Sequence, residues 1–358
     1  MASIAPVLDE FVVDSGWDVW LWDADRRRCL DAAAGLCGAN IGHGRHEMAQ
    51  AISAQLWRVE SAQHPTEPAL ELSERLAARA PMPIGRVLLT SCGEAGALAA
   101  GALARRYLAE AGEPEREHVL FARRLGHDSP EAAARAIEVL GADRVAAFVV
   151  DPILGAGGVR AQPTRHLEDL AALLRDAGVL LVADAGISGF GRLGTWFGIE
   201  RWPVEPDMIV FGESVTGGYL PLGGVLVGAD VGVAAAGCDD AAAGGHAASC
   251  AAALKTIEIL EAERLLQRGQ ELERELHEAL APLRTHPLVS AVRGGIGTVA
   301  GIELDALAAP PRVQRLARER GVLVRPLATS IAVAPPLTAT PAHFRRIADA
   351  LAGALDEL

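Results

Sequence analysis

Between Val87 and Leu226, short apolar runs alternate with amphipathic helical stretches, and that alternation leaves few architectures open. Val145–Asp151 (VAAFVVD) is an unbroken apolar run, the pattern of a parallel strand covered on both faces. Over Arg165–Asp176, residues Leu167, Leu170, Ala171 and Leu174 fall at i, i+3, i+4 and i+7, one stripe of a helix. Val179–Asp184 (VLLVAD) and Met208–Glu213 (MIVFGE) are further buried strands. Repetition of strand, helix and strand with short links predicts a mostly parallel sheet with helices on both faces. Such sheets bind ligands beyond the carboxyl ends of their strands, where Asp184 and Glu213 are both expected.

Beyond Gly244, one long helix is expected over Ala251–Glu278, followed by a separate α/β module. That module reads as strands in Ala291–Leu304, a helix over Arg312–Arg320, strands in Val322–Leu337 and a terminal helix over Pro341–Leu358. WDVWLWDADRRRCLD signals a hairpin, and residues 1–45 are expected to pack on the C-terminal module. The expected division is an N-terminal segment (1–45), a large domain (46–265) and a small domain (266–358). No internal repeat stands out, and the Ala/Gly runs near 232–248 are the loosest segment.

A chain of 358 residues can build a large α/β domain and a smaller one. Its formal charge of −13 argues against nucleic acid or anionic membrane as a partner, since both reward a basic face. No apolar stretch reaches the roughly 18–20 residues of a membrane span. The N-terminal MASIAPVLDEF lacks a basic region followed by an apolar run, so a soluble cytoplasmic protein is expected. Cys29, Cys37, Cys92, Cys238 and Cys250 are odd in number and show no C-x-x-C spacing, so they read as reduced thiols. Lys255 is the only lysine; the other 32 basic residues are arginine.

DPILGAGGV (151–159), VLLVADAGISGFGRLG (179–194) and EPDMIVFGESVTGGYLPLGG (205–224) resemble the core of class III pyridoxal-phosphate aminotransferases. The likeness is greatest to the ω-aminotransferase and diaminopelargonic-acid aminotransferase branch. WLWDADRRRCLDAAAGLCGANIGHGRHE (20–47), GHAASCAAALKTIEILE (245–261), HPLVSAVRGGIGTVAGIEL and GVLVRPLATSIAVAPPL extend it in order over nearly the whole chain. The resemblance implies PLP fold type I: a large domain with a mostly parallel sheet, and a smaller α/β domain from the N- and C-terminal segments. It also implies a homodimer with each active site at the subunit interface.

Such enzymes need a lysine, an aspartate facing the pyridinium nitrogen, donors at a helix N-terminus for the phosphate, and an aromatic ring stacked on the pyridine. The resemblance places Asp184 in the aspartate's position; its structural alternative is an ordinary strand-end carboxylate. Glu213, three residues before Thr216–Gly217–Gly218, falls on the lysine's position. Lys255, on a later helix, reads as a surface residue. Cys92, Gly93 and Glu94 stand where serine, glycine and a small residue are usual at the phosphate cradle. A Glu94 carboxylate would compete there with phosphate. Ala242 replaces a phosphate-binding threonine of the neighbouring subunit, and RRLGHDSP (123–130) lacks the stacking aromatic, with a long stretch after it deleted.

A buried carboxylate at 213 would repel a phosphate and incur a desolvation cost, so the expectation is weak or absent cofactor binding and no transamination. Three roles remain open. One is a non-catalytic subunit, as a homodimer or as a heterodimer with an active aminotransferase-family or pathway enzyme. Another is a cofactor-independent enzyme using Asp184 and Glu213, or a Cys92 thiolate, aided by His127 or His246. The third is a metabolite- or peptide-binding regulatory module in which Arg325 holds a carboxylate, with Ala332 at the second arginine position of many relatives. No third ligand accompanies the two carboxylates, so no metal site is expected.

Overall fold

The computed structural model describes residues 11–60, 64–122, 129–155, 157–234, 245–305 and 309–358. Three strands open the chain: β1 (Val13–Trp17), β2 (Trp20–Asp23) and β3 (Arg28–Asp31). The central part supplies β4 (Ile84–Thr90), β5 (His118–Phe121), β6 (Val145–Val150), the short hairpin β7–β8 (Ile153–Leu154, Arg160–Ala161), β9 (Leu180–Asp184), β10 (Met208–Phe211) and β11 (Gly223–Gly228). β12 (Val289–Arg293), β13 (Ala300–Leu304), β14 (Val322–Leu323), β15 (Arg325–Pro326) and β16 (Ser330–Val333) follow.

The large sheet has the order β4-β11-β10-β9-β6-β5. β5, β6, β9 and β10 run parallel, whereas β11 is antiparallel to both its neighbours. The link between β10 and β11 holds a 3-10 turn and no crossover helix, so the chain returns antiparallel. All six residues of β6 are buried, as its sequence demands. The Thr164–Asp176 helix buries Leu167, Leu170, Ala171 and Leu174, its predicted stripe. The Gly93–Glu110 helix lies so close to β11 that a Cβ on Gly96 would come within 2.8 Å of the Gly224 carbonyl oxygen, an approach open only to glycine.

The first three strands form a meander, one strand more than the hairpin signal suggested, and β3 pairs in parallel with β14. Residues near the N-terminus are thereby hydrogen-bonded to the C-terminal segment. The single helix expected over 251–278 is two helices, Ala247–Ala262 and Leu265–Leu280, separated at Arg264 with φ +52°. The first helix is apolar nearly all round and the second has one buried stripe, so each needs its own orientation. No glycine or proline marks that break. The strand region expected over 322–337 is three short strands.

Cys29, Cys37 and Cys250 are buried, Cys92 is half-buried, and all four are free thiols; Cys238 lies outside the described residues. Burial pushes the Cys29 thiol up to about 11 and the Cys250 thiol up to about 12. Among the described residues no helix is long and apolar enough to cross a membrane.

Candidate active site

β10 ends at Phe211, and Gly212 leads into a 3-10 turn over Glu213–Thr216. Gly217 (φ +60°) and Gly218 (φ +78°) reverse the chain, their N–H groups donating to the carbonyls of Ser214 and Glu213, both at 3.1 Å. The buried Thr216 hydroxyl lies 2.6 Å from the Leu220 carbonyl oxygen and 2.9 Å from that of Glu213. It holds the turn together from inside.

Glu213 therefore sits two residues beyond its strand, not at the strand end expected. Its side chain is exposed, and no described residue bonds to it. The expected burial of this carboxylate is corrected: Gly212 and the 3-10 turn carry residue 213 out of the sheet into water, and the desolvation cost falls away.

Asp184 pairs across the sheet with Val210, which places its half-buried carboxyl beside the start of the same turn. Its Oδ1 accepts the N–H of Gly186 at 2.9 Å. The Gly93–Glu110 helix points its N-terminus here: a Cβ on Gly93 would lie 3.3 Å from Gly212 Cα, and one on Gly212 would lie 3.7 Å from Gly186 Cα. Asp184, Glu213 and the Cys92–Gly93–Glu94 segment thus converge. Cys92 is the N-cap, its Sγ accepting the Ala95 N–H at 3.5 Å, a capping role that the thiolate reading did not foresee. Glu94 is exposed in the first turn.

Glu213 lines an open cleft of about 590 Å³ together with Gly217, Tyr219, Gly38, Ala39 and His43. Tyr219 closes one wall, its Oη accepting the Arg45 N–H at 2.7 Å and donating to the Gly42 carbonyl at 3.2 Å. Burial raises the Tyr219 phenol pKa, with Arg45 opposing. His43 is held by Asp31, with Nε2 and Oδ2 2.8 Å apart. Neither Tyr219 nor His43 was singled out from sequence, although both lie in the quoted GGYLPL and GHGRHE motifs. Arg325 is exposed and lines a separate cavity of about 20 Å³ with Cys37, Val159, Ile187 and Ala332. The 33–39 segment contributes to both cavities, so it stands between Arg325 and Glu213.

Lys255 lies on the Ala247–Ala262 helix, which packs on the 213–216 turn through buried Thr256, and its Nζ pairs with Glu258. His246 is that helix's exposed N-cap residue and makes no side-chain cap. His127 and Ala242 lie outside the described residues, among which no cluster of three metal-ligating side chains occurs.

A pyridoxal-type cofactor requires a partner for its ring nitrogen, donors for its phosphate and space for its ring. Asp184 would be the partner, and the first-turn N–H groups of Gly93 and Glu94 would be the donors, since the helix leaves them unused. Gly93, Gly186 and Gly212 let the helix N-terminus, the segment after Asp184 and the exit of β10 approach closely. The Glu94 charge stands in water, where screening weakens its competition with phosphate. These residues fit the ring nitrogen and the phosphate of the cofactor, and the carboxylate at position 213 does not supply the amine.

The sequence family described as "Aminotransferase class-III" matches residues 4–127 and 123–355, the two stretches meeting where the deletion was expected. A putrescine–pyruvate aminotransferase of Pseudomonas aeruginosa is 27% identical, over 97% of this chain and 90% of its own. An ω-transaminase structure from Thermomicrobium roseum is 31% identical, with TM-score 0.90 over 99% of this chain and 96% of that one. The fold is also that of an ω-transaminase from Pseudomonas jessenii solved in complex with PMP, at 23% identity, TM-score 0.88, and 99% and 96% coverage.

These findings correct the functional expectation. A non-catalytic subunit, a cofactor-independent enzyme and a regulatory module were each expected from the substitutions at the site, but the matched relatives are named as aminotransferases. The expected weak or absent cofactor is overturned by the same family match and by relatives named as aminotransferases. Glu213 and Glu94 are both exposed on this chain, against the burial expected at 213. The fold is PLP fold type I, and the chain belongs to the class III aminotransferase family.

Proposed function

We propose that the protein is an enzyme that exchanges an amino group between an amine and a carbonyl compound, with a pyridoxal-type cofactor held at Asp184. The observation that carries this reading is the convergence of Asp184, Gly212 and the N-terminus of the Gly93–Glu110 helix. When bound, the cofactor supplies an electron sink for the carbon that loses a proton. Asp184 holds a proton on the ring nitrogen, and the N–H groups of Gly93 and Glu94 bind the phosphate. Glu213, exposed on its turn at the cleft, takes up and returns the proton of the reacting carbon. Arg325 stays outside this reading, because its separate cavity of about 20 Å³ has no room for a substrate carboxylate.

The same reading includes a homodimer in the cytoplasm, divided at residues 45 and 265, for which the family resemblance is the support. The P. aeruginosa relative is named for putrescine and pyruvate, so these are the first pair to assay. Protein supplied with cofactor and this pair should form alanine, and Asp184→Asn should lower the rate by about 100-fold or more. Unchanged cofactor affinity and turnover in Asp184→Asn would refute the reading.

A further inference from the structure

Position 213 is where the family resemblance calls for an amine and this chain has a carboxylate. The Glu213 side chain is exposed, lines the cleft, and has no hydrogen-bond or ion-pair partner among the described residues. Cations on the surrounding segments are engaged elsewhere: Lys255 with Glu258, and Arg45 with Glu263 through Nη2 at 2.8 Å. The cleft's His43 is bound to Asp31. Tyr219 and glycines complete the wall near the turn and bring no positive charge. The cleft thus presents a carboxylate with no lysine or arginine in its lining, one residue beyond Gly212 and its contact with Gly93 and Gly186.

Cofactors of this class exist in two forms that differ at one substituent. The aldehyde form is electrophilic there, and an amine condenses with it by losing water. A carboxylate cannot make that bond and gains nothing from an uncharged aldehyde. The amino form carries a primary ammonium in the same place, and a carboxylate attracts it. Phosphate and ring are common to both forms, so Asp184 and the Gly93–Glu110 helix do not discriminate between them.

We propose that Glu213 makes this site select the amino form of the cofactor, pyridoxamine phosphate, over the aldehyde form, pyridoxal phosphate; this rests on the cofactor reading above. A charge-assisted contact at a site open to water is worth about tenfold in affinity. Where an amine at this position would store the aldehyde form as a covalent adduct, the carboxylate stores the amino form through charge alone. The protein then rests ready for a carbonyl substrate.

The test is a pair of binding titrations followed by quenching of intrinsic tryptophan fluorescence, with pyridoxamine phosphate and with pyridoxal phosphate. The native protein should bind the amino form about tenfold more tightly. Glu213→Gln should bring the two affinities within about twofold by removing the charge and keeping the shape. Glu213→Lys should reverse the order, and borohydride should then fix the aldehyde form to the chain as a mass increase. Equal affinities in the native protein, or a preference that survives Glu213→Gln, would overturn the assignment while leaving the cofactor reading intact. Failure of either form to bind would overturn both.

Discussion

Replacing Arg192 with methionine should cost more stability than any change on the molecular surface. Arg192 is fully buried, and its Nη1 donates to the carbonyls of Thr298 (2.9 Å) and Pro335 (2.6 Å). Its Nη2 donates to Asn40 Oδ1 at 2.6 Å, and Asn40 Nδ2 in turn donates to the Phe190 carbonyl at 2.8 Å. The guanidinium thus joins the loop after Asp184, the N-terminal segment that lines the cleft, and two C-terminal segments. Methionine fills similar volume and leaves three buried acceptors without a donor. Each orphaned acceptor costs about 1–3 kcal/mol. Burial lowers the Arg192 pKa, so removing the charge returns part of its desolvation cost. The net loss should be about 3–5 kcal/mol. Asn40→Ala removes one of the three bonds and should cost about 1.5–3 kcal/mol. The double variant should fall short of the sum by about 1–2 kcal/mol, because both changes break the same bond. Urea unfolding followed by circular dichroism, with midpoint and slope compared across the four proteins, measures all three quantities. A loss below about 1 kcal/mol for Arg192→Met, or strict additivity, would show that the network is not what joins these segments.

Gly217→Ala should destabilise by about 1–2 kcal/mol, since φ is +60° and the new Cβ would lie 2.7 Å from Ile41 Cγ1. Chemical denaturation reads the loss, and no change would mean that the turn below Glu213 tolerates other conformations. His277 Nε2 accepts the Gly295 N–H at 2.6 Å, and burial pushes its pKa below the ordinary 6.5, with Arg284 adding to the shift and Glu273 opposing it. A depressed folded-state pKa contributes stability above the unfolded value that disappears as pH falls through the folded one. The unfolding midpoint should therefore drop on acidification from roughly pH 7 to pH 5, and His277→Gln should flatten that dependence. An equal drop in the variant would assign the effect to other groups.

Much of the fold was legible because periodicity reports burial directly. The VAAFVV run and the Leu167/Leu170/Ala171/Leu174 stripe could satisfy their apolar faces in only one way, and both do. The break at Arg264 was not legible, since no glycine or proline marks it and what decides it is how two different buried faces meet the core. At the site, Asp184 and the Gly93 turn lie in legible motifs, and the structure brings both near Gly212. Tyr219 and His43 were missed because their roles depend on partners far away in sequence: Gly42 and Arg45 for one, Asp31 for the other. A single arginine inside the small and apolar residues of SGFGRLG was a readable sign of buried charge and was passed over.

The substitution at 213 shows how chemistry and fold separate on this scaffold. The turn that carries the residue is specified by its other members: Gly212 at the exit from β10, the Thr216 hydroxyl inside the turn, and Gly217 with Gly218 at its close. Ser214, Val215 and Thr216 are buried, and the side chain at 213 is not. Backbone groups and the Thr216 hydroxyl make the turn's bonds, so they are indifferent to whether residue 213 ends in an amine or a carboxylate. An exchange of lysine for glutamate here reverses the charge of an exposed side chain in the cleft without disturbing a packed contact among the described residues. Such a position can change its chemistry while Asp184, the Gly93–Glu110 helix and the Tyr219 wall stay in place. Glu213→Gln and Glu213→Lys should accordingly unfold within about 0.5 kcal/mol of the native chain, the range of an exposed substitution. A larger loss would mean that residue 213 also serves the fold, and shifts in cofactor preference could then no longer be assigned to its charge alone.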